Sequence, residues 1–166
     1  MPPLMPFILS AQREDLPSFL ENWKNYRASL EAAQGLFPRN AYEIAISDWW
    51  YDPNRPEGPH DAWLQKLEVG EAKDEDGVRH VMIRIELASA HHGTIVLVYP
   101  KVYSYCLAMG EAWRDIHGDW RFDEFSHDGT AGRFTHTIEW ADGPVWTITA
   151  SDLIHSFDPG EGRWLG

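Results

Sequence analysis

The chain predicts an α+β protein: a mostly antiparallel sheet or flattened barrel of about seven strands with an N-terminal helix packed on it. Three observations carry this. One stretch near the N-terminus repeats its apolar residues at helical spacing. A later stretch, Val81, Ile83, Ile85 and Leu87, alternates strictly with His80, Met82, Arg84 and Glu86. After it come further short alternating runs separated by turn residues, with no helical pattern between them, which reads as an antiparallel meander.

The helix is expected over Pro17 to Gln34, where Phe19, Leu20, Trp23, Tyr26, Leu30 and Ala33 recur at steps of one, three or four. Asp15 or Leu16 would precede Pro17 at its start, and Gly35 can take the left-handed conformation that ends a helix. Glu21, Lys24, Asn25, Arg27 and Glu31 occupy the other face, so the apolar stripe should lie on the sheet. A second helical run spans Ala41 to Asp48, with Asn40 as its cap. It leads into Trp49-Trp50-Tyr51, three aromatics that cannot all face one core, so at least one should meet a loop, a partner or a ligand. Prolines at every third position from Pro53 to Pro59 then predict an extended, stiff surface loop.

Strands are expected at Ala62 to Val69, around Val81 to Leu87, and at Ile95 to Tyr99, Val102 to Ala108, Trp120 to Phe125, Phe134 to Trp140 and Val145 to Ala150. Gly70 to Gly77 reads as a hairpin turn bent at Asp76-Gly77, and Pro100 as a turn between two strands. The organisation is a single domain, 1–166, with a helical segment over about 12–50 and a β-rich segment over about 61–157.

At 166 residues a single core suffices, burying roughly 70% of the unfolded surface without disulfide or metal. The 14 basic and 26 acidic residues leave a formal charge of −12, which repels phosphate backbones and anionic lipid heads. Nucleic-acid and membrane binding are therefore disfavoured, and a basic protein partner suits the charge. The one cysteine, Cys106, excludes an internal disulfide and reads as a small buried residue in a strand. The apolar start Met1 to Ser10 has no basic flank, contains three prolines and is too short for a bilayer, so a cytoplasmic protein is expected.

Three segments set histidine in turn-like contexts: Pro59-His60-Asp61, His91-His92-Gly93 and His117-Gly118-Asp119. Imidazole is the commonest metal ligand. Convergence of His60, His92, His117 and Asp119 at one end of the sheet would hold a divalent metal and activate water, with Asp123 or Glu124 as base. The spacing matches no established ligand motif. Without convergence these residues are turn formers, and no cofactor is required. Ser126-His127-Asp128 is no triad, because neighbouring strand side chains point to opposite faces.

The aromatic content points toward binding. Nine tryptophans exceed what a core of this size normally needs, so some should rim a surface. Trp49, Trp50, Trp63 and Trp120, with Asp61, Asp119, Asp123 and Glu124, would form an aromatic and acidic face suited to a basic protein.

The ordered pieces His60-Asp-Ala-Trp-Leu64, His92-Gly93 with Ile95 and Tyr99, His117-Gly-Asp-Trp-Arg-Phe-Asp-Glu124 and His136-Thr-Ile-Glu-Trp140 resemble a group of small uncharacterised bacterial proteins. The resemblance runs from about Trp50 to Phe157 and implies a compact β-rich bacterial domain, with no activity attached. Orphan domains of this kind include immunity proteins of toxin systems. His91-His92 departs from the His-Asp expected at that turn.

Three readings follow. The first is a non-catalytic bacterial protein-binding domain, of the immunity type, that engages a basic partner. The second is a metal-dependent hydrolase using the His and Asp turns. The third is a structural or oligomerisation domain whose aromatics are buried in a homo-oligomer.

Overall fold

The computed structural model describes residues 15–109 and 116–160. The apolar start Met1 to Ser10 lies outside them. Helix α1, Leu16–Ala32, begins where the Asp15 carboxylate accepts the Ser18 N–H at 2.9 Å, with Pro17 in the first turn. Phe19, Trp23, Tyr26, Leu30 and Ala33 follow at helical spacing and face the core, whereas Leu20 is exposed. The helix does not end on a left-handed Gly35. It stops at Ala33, whose φ is −98° and whose N–H bonds back to the preceding turn.

Helix α2, Arg39–Ala45, starts after Pro38 and is shorter than the pattern suggested. Asn40 is not its cap. Asp152, from a distant loop, takes that part by accepting the Ala41 N–H and the Asn40 side-chain amide, both at 2.9 Å.

The proline-rich stretch folds into successive tight turns rather than an extended arm. Carbonyls of Trp49, Asp52 and Arg55 accept the amides of Asp52, Arg55 and Gly58. Three side chains, two from the turn after Ala88 and one from a strand, then hold the loop down: Ser89 bonds Pro56 O, His91 bonds Pro53 O and His155 bonds Glu57 O. Bonds from outside the loop therefore override the intrinsic preference of proline for an open spiral.

Seven strands make one antiparallel sheet that is not closed: β1 Trp63–Lys73, β2 Arg79–Ala88, β3 Thr94–Leu107, β4 Trp120–Ser126, β5 Phe134–Trp140, β6 Val145–Ala150 and β7 Ile154–Asp158. The order is β1-β2-β3-β6-β5-β4, so the sheet is not a simple meander: β4 lies at the far edge and the chain returns through β5 and β6 to β3. The first half of β3 pairs with β7 and the second half with β6.

That division occurs near Pro100, which lies inside β3 rather than in a turn. Val81 pairs with Val102 and Ile83 with Tyr99, so Pro100 and Lys101 together oppose Met82 in a bulge. A bulge accommodates a residue with no N–H to give. Two predicted strands are thus one, and the seventh strand is β7, which the alternation did not single out.

Cys106 is exposed, contrary to expectation. Residues 103–106 all lie on the surface, because this end of β3 runs past its last pairing with β2 at Val81. The buried face of the sheet carries Ile83, Ile85 and Leu87 of β2, Ile95, Leu97 and Tyr99 of β3, Phe134, His136, Ile138 and Trp140 of β5, and Trp146, Ile148 and Ala150 of β6. Each large aliphatic or aromatic side chain so buried contributes about 1.5–3 kcal/mol. Helix α1 lies over the β4 side of this core, where the Tyr26 hydroxyl accepts the Phe125 N–H at 2.9 Å and Phe19 meets Phe122.

The edge strands β1 and β4 touch at a single bridge, Trp63 with Asp119. Asp61 N–H donates to Trp120 O at 2.9 Å and Trp120 N–H to Ala62 O at 2.8 Å. The flattened barrel thus resolves into an open sheet with its two edges in contact at one point. Among the described residues no helix is long and apolar enough to cross a membrane.

Candidate functional site

Beside this seam, between α1, the Trp49-Trp50-Tyr51 segment and β4, lies a pocket of about 270 Å³. Phe19 and Trp23 come from α1, Trp50 and Tyr51 from the segment after α2, and Trp120, Phe122 and Asp123 from β4; Pro59, His60, Leu20 and Arg121 complete the lining. Trp23 meets Tyr51 edge to face at 4.7 Å, and Trp50 meets Trp120 at 6.1 Å and 85°. These edge-to-face contacts fix one ring against another without filling the space between them.

The inner wall is held by one carboxylate. Asp123 is 3% exposed and accepts three hydrogen bonds: Trp50 Nε1–H at 2.8 Å, Trp120 Nε1–H at 3.2 Å and His136 Nε2 at 2.7 Å. Indole N–H groups can only donate, so both carboxylate oxygens act as acceptors. His136 is fully buried, and its Nδ1 lies 2.7 Å from the Tyr99 hydroxyl. A His136 protonated on Nε2 donates to Asp123 and accepts from Tyr99. Every polar atom of this chain of groups is thereby satisfied, as burial demands.

A second pair, Tyr26 and Tyr51, joins hydroxyls at 2.8 Å on the helix side. Burial, opposed in part by the Tyr51 bond, pushes the Tyr26 phenol well above its ordinary range. Tyr51 is pushed up by burial and by Tyr26, Asp123 and Glu124, and Tyr99 by burial and Asp123. All three stay neutral hydrogen-bonding groups.

The structure divides the eight residues expected on a binding face. Asp61, Trp63 and Asp119 come together at the β1–β4 seam, where Trp63 is 50% exposed. Asp61 holds a left-handed backbone, φ 63°, and is exposed. Trp50, Trp120, Asp123 and Glu124 are interior, not outer-surface, residues: the first three form the pocket wall because the indoles must reach the Asp123 carboxylate. Glu124 is 5% exposed. Trp49 is half-buried and packs on His155 at 4.8 Å, away from the seam pair.

The proposed metal ligands are not gathered. Among the described residues no group of three or more His, Cys, Asp or Glu side chains is placed to hold a metal. His60 packs edge-on to Phe122, with Nδ1 3.1 Å from Asp61 Oδ1 but not aligned for a hydrogen bond. His92 is exposed on the β2–β3 turn with φ 72°. His117 packs against Trp140 and Trp146, and burial lowers its affinity for a proton. Asp119 stays at the seam.

Sequence reasoning missed the polar chain Asp123, His136 and Tyr99. The signal was present in β5, where His136 falls in strict alternation with Phe134, Ile138 and Trp140. A histidine on an apolar strand face needs buried partners on neighbouring strands, and only the strand order identifies them.

Fold and site together define an α+β protein with an open antiparallel sheet and an aromatic pocket at its meeting edges. No protein-family model, curated protein or solved structure matches the chain.

Proposed function

We propose that the protein is a non-catalytic binding domain that engages a basic protein partner at the β1–β4 seam. The observation that carries this reading is the exposed Trp63 ring beside Asp61 and Asp119, at the point where the two sheet edges meet. A half-exposed indole on a backbone bridge to Asp119, two residues from Asp61, offers apolar area together with attraction for lysine and arginine. The formal charge of −12 adds long-range steering toward such a partner. The burial of His136 and the full engagement of Asp123 support binding over catalysis, since neither presents a free atom to a substrate. Masking of a basic toxin by an immunity-type bacterial protein, in the cytoplasm, is the biological form this reading takes.

The test is an NMR titration that follows indole N–H signals while poly-lysine and poly-arginine peptides are added, with poly-glutamate as control. The Trp63 signal should move at low salt, the movement should shrink as salt is raised, and Asp61→Asn with Asp119→Asn should abolish it. A Trp63 signal indifferent to basic peptides at low salt, or equal binding by the double variant, overturns the proposal.

A further inference from the structure

We propose that the aromatic pocket beside the seam is a binding site for an alkylated ammonium group, such as the quaternary nitrogen of a choline-like compound. The half-buried Trp23, Tyr51 and Phe122 and the buried Trp50 and Trp120 line an open-mouthed pocket of about 270 Å³, enough for a small organic cation and too little for a stretch of peptide. Ring faces attract cations, and alkylated ammonium groups lose little hydration on entering such a cage. A bare metal ion would find a single carboxylate, already bound by three donors, to replace its water shell.

The carboxylate on the lining favours a cationic occupant over an anionic one. The Asp123 carboxylate lines the pocket, is 3% exposed, and is bound by two indole N–H groups and one imidazole. Among the described residues its ion-pair contact is with the His136 imidazole, at 2.7 Å, and no lysine or arginine joins it. A carboxylate buried with hydrogen bonds but without a lysine or arginine counter-charge favours a cation nearby. Arg121 is the one opposing charge on the lining, and its residue is exposed to water.

This inference concerns the pocket and stands apart from the seam reading: here Trp50 and Trp120 report, there Trp63 does. The full chain is titrated with choline, with a short peptide bearing trimethyllysine, and with 3,3-dimethylbutanol, the neutral isostere of choline, while the indole N–H signals are followed. Choline or the peptide should shift the Trp50 and Trp120 signals, and the isostere should bind at least about tenfold more weakly. Choline binding assigns the occupant to a free small molecule, and binding of the peptide alone assigns the same group to a partner's side chain.

Trp23→Ala, on the half-buried face of α1, should weaken binding about tenfold. Arg121→Ala, a surface change that leaves the core intact, should tighten it about twofold. Equal binding of the neutral isostere overturns the proposal, as does the absence of any shift at Trp50 and Trp120 with either cation. Movement of Trp63 under basic peptides, with Trp50 and Trp120 unmoved by choline and by the trimethyllysine peptide, would leave the seam reading standing while removing this one.

Discussion

Asp123 Oδ2 and His136 Nε2 lie 2.7 Å apart in the middle of the core, joining β4 to β5 through side chains as well as backbone. The same oxygen accepts the Trp50 indole, so the strand pair and the pocket wall share one acceptor. Asp123→Asn puts an amide NH₂ where donors converge and leaves at least one of them unpaired. The loss should be about 2–4 kcal/mol, read as a lower urea midpoint with an unchanged slope. A loss below about 1 kcal/mol would mean that the core does not depend on this acceptor.

Gly93 closes the β2–β3 turn with φ 96°, and a Cβ there would stand 2.6 Å from Asp158 O and 2.7 Å from the Phe157 ring. Both obstacles belong to β7, which pairs directly with β3 at this point. Gly93→Ala should therefore cost about 2 kcal/mol or more, above the ordinary penalty for a positive φ. Thermal unfolding measures it. Hydrogen exchange should show the loss of protection concentrated in the β3–β7 ladder.

Asp152 ties the end of the sheet to α2 by accepting Ala41 N–H, Leu153 N–H and the Asn40 amide, each at 2.9 Å. Asp152→Ala removes all three bonds and should destabilise the fold by about 1–2 kcal/mol. Asn40→Ala, which removes only one exposed bond, should cost less than about 0.5 kcal/mol. Equal effects from the two would show that the carboxylate does not act as the helix cap.

His155 sets a pH dependence. Its Nε2 is 2.8 Å from Glu57 O and its ring packs on Trp49 and Trp50, and burial holds its affinity for a proton below the ordinary value of 6.5. As pH falls through 6.5 the unfolded chain takes up a proton that the folded ring resists, so stability declines down to the folded value and is flat above 6.5. His117, shifted down by burial as well, acts in the same direction. Asp128, held at about 2 by Arg133, titrates below this window. Unfolding midpoints at about pH 7 and about pH 5 should differ in the native protein and differ less in His155→Gln, whose amide can still donate to Glu57 O. An unchanged difference would place the titration elsewhere.

The local sequence was enough to place α1, the alternating faces of β2, β5 and β6, and the bend at Asp76-Gly77, because spacing along a helix or strand is a property of consecutive residues; the hairpin turn itself is shorter than the expected Gly70 to Gly77, since β1 continues to Lys73. The same periodicity marked the tryptophans and acids as unusual without deciding which way they turn. Only the tertiary structure decided the strand order, the fusion of two runs into β3 around Pro100, and the addition of β7. Those depend on which distant segments share backbone hydrogen bonds. It also separated Trp63 at the seam from Trp50 and Trp120 in the pocket wall, and left Cys106 on the surface where β3 outruns β2. Burial is a relation between distant segments: Asp123 becomes an interior residue because Trp50, Trp120 and His136, from three separate parts of the chain, bring N–H groups to one carboxylate.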